Sequence, residues 1–381
     1  MQLALTDEQT MLANTANAFV AEHSPIARIR KLRDTKDARG YSLDLYRQMA
    51  DLGWTAVPFE EGDGGMGMGL SGLILITEAM GRGLAPEPVL SSVAMAGQAL
   101  ALGGSAEQKA RWLAPLIAGE QVLALAHQEK DSRFDLARVS ATARRAEGGW
   151  VLSGEKVHVI DGHIADAFVV AARTSGGATG TDGLTLFLVP GDAQGLTTTR
   201  WWRIDTPRNA ASVTLDNVRL RDADVVGAVD DGHALLSRVI DRATVALCGE
   251  MLGAMSETFD RTLAYLKERK QFDRVIGSFQ GLKHRAARMY MEVELSRSAT
   301  MAAARAMDAG DAGAAALVSV AKARCSDAFV LIANEAIQMH GGIGMTDEHD
   351  IGFFFKRARV AEMTFGDAAF HRNRYATLNG Y

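Results

Sequence analysis

Gln338-Met339-His340-Gly341-Gly342-Ile343-Gly344 interrupts a long helical pattern near the C-terminus. Alanine and apolar positions recur at helical spacing on both sides, so the paired glycines mark a turn between two packed helices. Outward from that turn, everything from Gly232 onward is rich in alanine, arginine and glutamate and is broken only near Gln271 to Gly277, Gly310 to Gly313 and Gly341 to Gly344. That spacing predicts four long helices joined by short connections, a bundle.

Upstream the period changes. Between Glu120 and about Gly227 short β-rich runs (Gln121 to Ala126, Trp150 to Ser153, Ala167 to Ala172, Leu184 to Val189, Ser212 to Leu220) alternate with glycine, aspartate and threonine. They predict an antiparallel barrel or sandwich. From Thr6 to about Gly119 helical spacing returns, and Thr6-Asp7-Glu8-Gln9 offers an N-cap with a polar third position ahead of Leu12, Ala16 and Phe19. The expected organisation is multidomain α+β: a helical domain over 1–119, a β domain over 120–227 and a helical bundle over 228–381.

Composition narrows the function classes. The chain has 381 residues, 48% hydrophobic and 23% charged, which suits two or three soluble domains. No apolar run reaches the roughly 18 residues of a membrane span. The N-terminus lacks a basic segment followed by an apolar one, and a cytoplasmic protein is expected. A net charge of −5 without a basic run argues against nucleic acid. Cys248 and Cys325 form no metal-ligand spacing, so no metal is expected, and both read as small buried residues. The glycine-rich loop Glu60 to Gly69 lacks the Lys-Ser/Thr of a phosphate loop and is read as left-handed turns between helices.

An ordered set of motifs resembles the acyl-CoA dehydrogenase family over nearly the whole chain. Asp7-Glu8-Gln9, Gly53-Trp54, Pro58, Glu60-Glu61, Gly64-Gly65 and Glu78 to Gly81 are similar to its N-terminal helical domain. Gly154-Glu155-Lys156, Ala165-Asp166 and Val169 are similar to its middle antiparallel β-barrel domain. Tyr265 to Phe272, Ile276 to Gln280 and Gln338 to Gly342 are similar to its C-terminal four-helix bundle. Within the family, Thr364-Phe365-Gly366-Asp367 and Ala246-Leu247-Cys248 resemble the small-subunit type associated with pimeloyl-CoA dehydrogenase.

The resemblance implies FAD-dependent α,β-dehydrogenation of an acyl-CoA thioester: a carboxylate removes the α-proton and a hydride leaves the β-carbon for the flavin. It implies that Arg269, Phe272, Gln280, Gln338, Gly341 and Gly342 hold the ADP half of FAD across a subunit boundary. Arginine offers a planar charged fork to pyrophosphate, and paired glycines admit backbone N–H groups close to oxygen. The isoalloxazine half would lie against Gln128 and His158, in two altered segments. The family's Thr-Glu-Pro-Gly-Ala-Gly-Ser-Asp is Gln128 to Asp135 here, with Phe134 at the serine, and its Lys-x-Trp-Ile-Thr-Asn is Lys156 to Asp161, with His158 at the tryptophan and Ile160 at the threonine. A packing role on a strand is the competing reading of His158.

Both family positions for the catalytic carboxylate hold other residues. Twenty-three residues after Gly342 stands Phe365, where many members carry glutamate, and the alternative position on the first bundle helix falls at Ala243. The nearest carboxylates are Asp241 and Asp367, of which Asp241 is the candidate base; two residues on a helix turn a side chain by about 200°. The competing reading of Asp241 is a solvated carboxylate paired with Arg238 or Arg242. Two functional readings follow: a dehydrogenase subunit of a dimer or tetramer whose acyl-CoA dehydrogenase-like partner supplies the base, or a non-catalytic assembly or acyl-CoA-binding homologue. A dicarboxylyl-CoA, a fatty acyl-CoA or a sterol side-chain CoA is the expected substrate class.

Overall fold

The computed structural model describes residues 4–205 and 208–381. Their chain divides into two compact units, one made of 1–31, 70–85 and 244–381, the other of 32–69 and 86–243.

The first unit is helical. Its helix α1 (Asp7–His23) starts at the expected cap: Thr6 Oγ1 accepts from Gln9 N–H at 3.1 Å, and the Gln9 side chain accepts from Thr6 N–H at 3.2 Å. The helix α2 (Ile26–Asp34) begins here and α3 (Leu43–Asp51) belongs to the other unit. The α4 helix (Gly69–Arg82) is apolar almost all round and buried as such a helix must be. Its N-terminal N–H groups at Leu70 and Ser71 are capped from far along the chain by the Asp308 carboxylate, at 2.7 and 2.8 Å.

The long helices of this unit are α8 (Gly232–Glu268, shared with the second unit), α9 (Gln280–Asp308), α10 (Ala314–His340), α11 (Ile351–Met363) and α12 (Ala368–Leu378). They replace the four expected with three long and two shorter ones, the shorter pair both packing on α10. Helix α4 meets α8 backbone to backbone through glycines. A Cβ on Gly253 would stand 1.7 Å from the Glu78 carbonyl oxygen, and one on Gly81 would stand 2.0 Å from that of Glu250.

The second unit carries the sheet. A π-helical segment (Val89–Gly97) runs into α5 (Gln98–Gly103), followed by short turns α6 (Ala106–Gln108) and α7 (Ala114–Ile117). Eight strands follow: β1 (Leu123–Ala126), β2 (Thr142–Ala146), β3 (Gly149–Ile160), β4 (Ala167–Arg173), β5 (Leu184–Pro190), β6 (Leu196–Trp201), β7 (Ala210–Arg221) and β8 (Val225–Val226). Their order is β6-β7-β3-β2-β4-β5-β8, with β1 beside β4. Pairing is mostly antiparallel, but β1 runs parallel to β4 in register Leu123 with Ala167, and β2 touches β4 through one parallel bridge. The sheet is therefore mixed. Its apolar face collects Trp150, Leu152, Phe168, Phe187, Val213 and Leu215, residues of alternating positions on neighbouring strands.

The loop from Glu60 to Gly69 opens with a short 3-10 turn (Glu61–Asp63), and after it Gly64, Gly67 and Gly69 take φ of 82°, 65° and 63°. Left-handed turns, rather than phosphate binding, account for these glycines. Among the described residues no helix is long and apolar enough to cross a membrane, and no cluster of His, Cys, Asp and Glu is arranged to hold a metal ion.

Candidate functional site

In the first unit, helix α8 ends with the Arg269 N–H donating to the Tyr265 carbonyl at 2.9 Å. A two-strand hairpin follows, β9 (Lys270–Gln271) and β10 (Arg274–Val275), closed by Phe272 and Asp273 alone. Both turn residues have positive φ, 55° and 58°, the pattern of a type I′ turn that usually calls for Asn-Gly. Phenylalanine there is strained, and burial does not offset the strain because Phe272 is 84% exposed. Its ring meets the edge of Phe279, with centroids 6.1 Å apart.

The other polar residues of this arm are open as well. Arg269, Gln280 and Gln338 are exposed, and their side chains make no hydrogen bond among the described residues. Gly341, just after α10, has φ 66° and ψ −143°, a conformation only glycine adopts readily. Gly342 is different: a Cβ there would meet nothing within 4 Å. The fold of this chain alone therefore explains Gly341 and leaves Gly342 unexplained, as it leaves Phe272. An arginine, two amides and a glycine turn, all open to the surroundings, suit the oxygens and N–H-accepting edges of a dinucleotide's phosphate end.

In the second unit, the loop after β1 is stitched to β3. Gln128 O accepts from Val157 N–H at 2.8 Å, and the Gln128 amide donates to the Arg133 carbonyl at 2.8 Å. Glu129 accepts from Ser140 and Ala141 N–H at 2.8 and 2.9 Å and from Lys156 Nζ at 2.6 Å. Burial pushes the Glu129 carboxyl up, but Lys156 and these bonds outweigh it and hold it below the usual carboxylate range. Gln128 thus spends its amide on loop closure, leaving backbone groups as the local donors.

His158 sits at an irregularity in the β3–β7 register with φ 53°. Its ring is exposed and packs edge-on against Trp201 at 4.8 Å. Burial, then Arg203, depress its pKa, so the ring is neutral at pH 7. A partly exposed histidine packed on a strand thus describes the ring, with a left-handed backbone at a register irregularity. Three residues on, Asp161 is buried and accepts from Ser91 Oγ at 2.6 Å.

The carboxylate positions resolve differently. Asp367 is the N-cap of α12, its Oδ1 accepting from Phe370 N–H at 2.8 Å, which gives it a structural task. Ala243 is fully buried. Asp241 is 8% exposed and therefore not the solvated carboxylate of the competing reading. Its neighbour Arg242 reaches Gln98 Oε1 at 2.9 Å. Phe365 and Gly366 form a corner with φ of 61° and 112°. Lys322 Nζ donates to the Gly366 carbonyl at 2.7 Å, and the His371 ring nitrogen Nε2 donates to that of Phe365 at 3.0 Å.

Lys322 and His371 were not singled out from sequence, although a signal exists for the lysine. Val318, Lys322, Cys325 and Phe329 share one helical face of α10, all four buried, and a lysine on such a face needs acceptors.

Family models match three stretches: "Acyl-CoA dehydrogenase, N-terminal domain" at residues 6–120, the middle domain at 124–218 and the C-terminal domain at 230–377. Acyl-CoA dehydrogenase FadE12 of Mycobacterium tuberculosis (strain ATCC 25618 / H37Rv) is 30% identical over 361 residues, covering 94% of this chain and 92% of that protein. A solved structure of a variant of the Tcur3481-Tcur3483 steroid ACAD is 31% identical, covers 98% of both chains and superposes with a TM-score of 0.87. The ChsE4-ChsE5 complex from Mycobacterium tuberculosis is 26% identical, covers 100% of both chains and superposes with a TM-score of 0.89.

Proposed function

The chain belongs to the acyl-CoA dehydrogenase family, and from that premise we propose that it is one subunit of a hetero-oligomeric, FAD-dependent acyl-CoA dehydrogenase whose partner supplies the catalytic carboxylate. What supports this is the contrast within one chain: every arm residue that the family resemblance names for the ADP end is present and open, while Phe365 and Ala243 stand where the resemblance puts a carboxylate. FAD, when bound, takes the hydride from the β-carbon of the acyl chain. The residues of this chain that would hold an ADP end, across a subunit boundary, are Arg269, Phe272, Gln280, Gln338, Gly341 and Gly342; Gln128 and His158 would belong to an isoalloxazine site of its own. Arg269 neutralises phosphate charge, the amides fix orientation, and the Gly341–Gly342 turn lets backbone N–H groups reach oxygen. Phe365 moves no proton.

The two-chain composition of the ChsE4-ChsE5 and Tcur3481-Tcur3483 structures supports the partner. The steroid description of the second favours a sterol-type acyl-CoA over the dicarboxylyl-CoA of the pimeloyl-CoA small-subunit type. The test is flavin and mass stoichiometry of the native complex, with turnover followed by dye reduction. The chain alone should be colourless and inactive, and the complex yellow and active. A lone chain that binds flavin and turns over an acyl-CoA defeats the partner, and a complex without flavin or turnover favours the non-catalytic reading. In the active complex Asp241→Asn should leave turnover within a few-fold; lost turnover with FAD retained would make Asp241 the base.

Arg269→Ala in that complex should weaken FAD binding by roughly 1.5–3 kcal/mol, the scale of a charged hydrogen bond. Fluorescence titration of the flavin reads this directly, and unchanged affinity removes Arg269 from the site.

A further inference from the structure

The ends of α8 and α10 meet through three rings. Tyr265 and His340 lie nearly parallel with centroids 4.5 Å apart and planes at 29°, and His349 packs against His340 at 4.6 Å and 55°. His340 Nδ1 lies 2.7 Å from the Ala336 carbonyl oxygen, so Nδ1 carries the hydrogen and the ring orientation is set. The turn wraps closely around it, since a Cβ on Gly344 would stand 3.0 Å from both His340 Cβ and the Ile337 carbonyl oxygen.

Two of the rings stand next to the arm. The Tyr265 carbonyl receives the Arg269 N–H at 2.9 Å, and His340 directly precedes Gly341. The segment bearing His349 is itself anchored: Arg30 on α2 bonds Asp350 at 2.9 Å and Asp347 at 3.2 Å, and Arg261 on α8 reaches Asp350 at 3.5 Å. Two segments of the arm, far apart along the chain, therefore share one aromatic joint.

We propose that His340 is a positioning residue for FAD: stacked on Tyr265 and packed against His349, it sets the spacing between Arg269 and the Gly341–Gly342 turn that one pyrophosphate requires. This rests on the assignment of Arg269 to the cofactor. It also makes cofactor retention pH-dependent. The charged and titratable groups around the joint are His349 and Asp350, Arg261 from α8 and Arg30 from α2, with Tyr265 as the facing ring. Burial, with His349 adding to it against the Ala336 hydrogen bond, lowers the pKa of His340; burial, with Arg261 adding to it against Asp350, lowers that of His349. The folded chain favours both rings in their neutral form, so the joint contributes fully above the ordinary imidazole range, about 6.5, and weakens as pH falls through the lowered values.

The experiment uses the complete assembly and measures the FAD dissociation constant by fluorescence at about pH 7.5 and 5.5 for wild type, His340→Ala, His340→Phe and Arg269→Ala. His340→Ala should bind FAD about tenfold more weakly at the higher pH, the scale of a lost aromatic pair. His340→Phe keeps a ring without a titrating group, and should stay within about threefold of wild type while losing the acid weakening that wild type shows. Wild-type affinity in His340→Ala alongside weakened Arg269→Ala overturns the inference and leaves the arm intact. Acid weakening in His340→Phe equal to wild type overturns its pH component. Wild-type affinity in both alanine variants removes the arm assignment, and the inference with it.

Discussion

Arg357→Met is expected to lower the unfolding free energy by about 3–5 kcal/mol, the cost of leaving a buried charge without its counter-ion. Arg357 Nη1 lies 2.7 Å from Glu250 Oε1, and the two side chains are only 1% and 6% exposed. The pair joins α11 to α8, at the residue whose carbonyl faces Gly81 of α4. Methionine fills much of the volume but takes the guanidinium away from the buried Glu250 carboxylate. Adding Glu250→Gln to Arg357→Met should recover a large part of the loss, because a neutral amide is far cheaper to bury than a carboxylate. Urea melts of the single and double variants check both statements. A single-variant loss under about 1 kcal/mol would mean that the pair behaves like a solvated surface bridge.

Lys322→Met is expected to cost about 2–4 kcal/mol, because three buried acceptors lose a charged donor at once. Lys322 Nζ bonds Ser326 Oγ at 3.0 Å and the carbonyls of Glu362 and Gly366 at 2.9 and 2.7 Å. The last of these holds the Phe365–Gly366 corner, so releasing it also frees that turn. The pH dependence has a definite sign. Burial lowers the Lys322 pKa to about 8, although Cys248, Cys325, Glu362 and Asp367 push the other way. Between about 8 and the ordinary lysine value near 10.4, the unfolded chain binds a proton that the folded chain has released, so this lysine adds stability as pH rises. The deficit of Lys322→Met should therefore grow from neutral pH to about pH 9.5.

At the acid end, His371 governs the same corner. Burial, then Lys322, lower its pKa to about 3. Its neutral ring contributes above about 6.5, and that contribution fades as pH falls toward the lowered value. Removing the Lys322 charge raises the His371 pKa, which makes the Lys322→Met deficit smaller in acid. A deficit that stays constant from about pH 4.5 to 9.5 would contradict both signs.

Much of the organisation is legible in local pattern. The capping box at Thr6 to Gln9 and the positive-φ glycines after Glu60 involve residues three or four apart, where side-chain type and backbone geometry are directly coupled. The strands β2 and β6 escaped that reading. Thr142-Ala-Arg-Arg-Ala and Leu196-Thr-Thr-Thr-Arg-Trp present too little apolar alternation to stand out, and their pairing with β3 and β7 makes them strands. The parallel placement of β1 beside β4 depends on the path of the chain between them and has no local signal.

The same division applies to the candidate site. The sequence by itself determined that the chain carries the ordered motifs of the family, with Phe365 and Ala243 where the resemblance leads one to expect carboxylates, because motif spacing along a chain is a short-range property. Tertiary structure alone decided that Asp241 is buried, that Asp367 caps a helix, that Lys322 and His371 hold the Phe365 corner, and that His340 joins two segments far apart along the chain. Each of these depends on which helix faces which. That choice belongs to the packing of whole elements, where burial and partner geometry together determine what a side chain does.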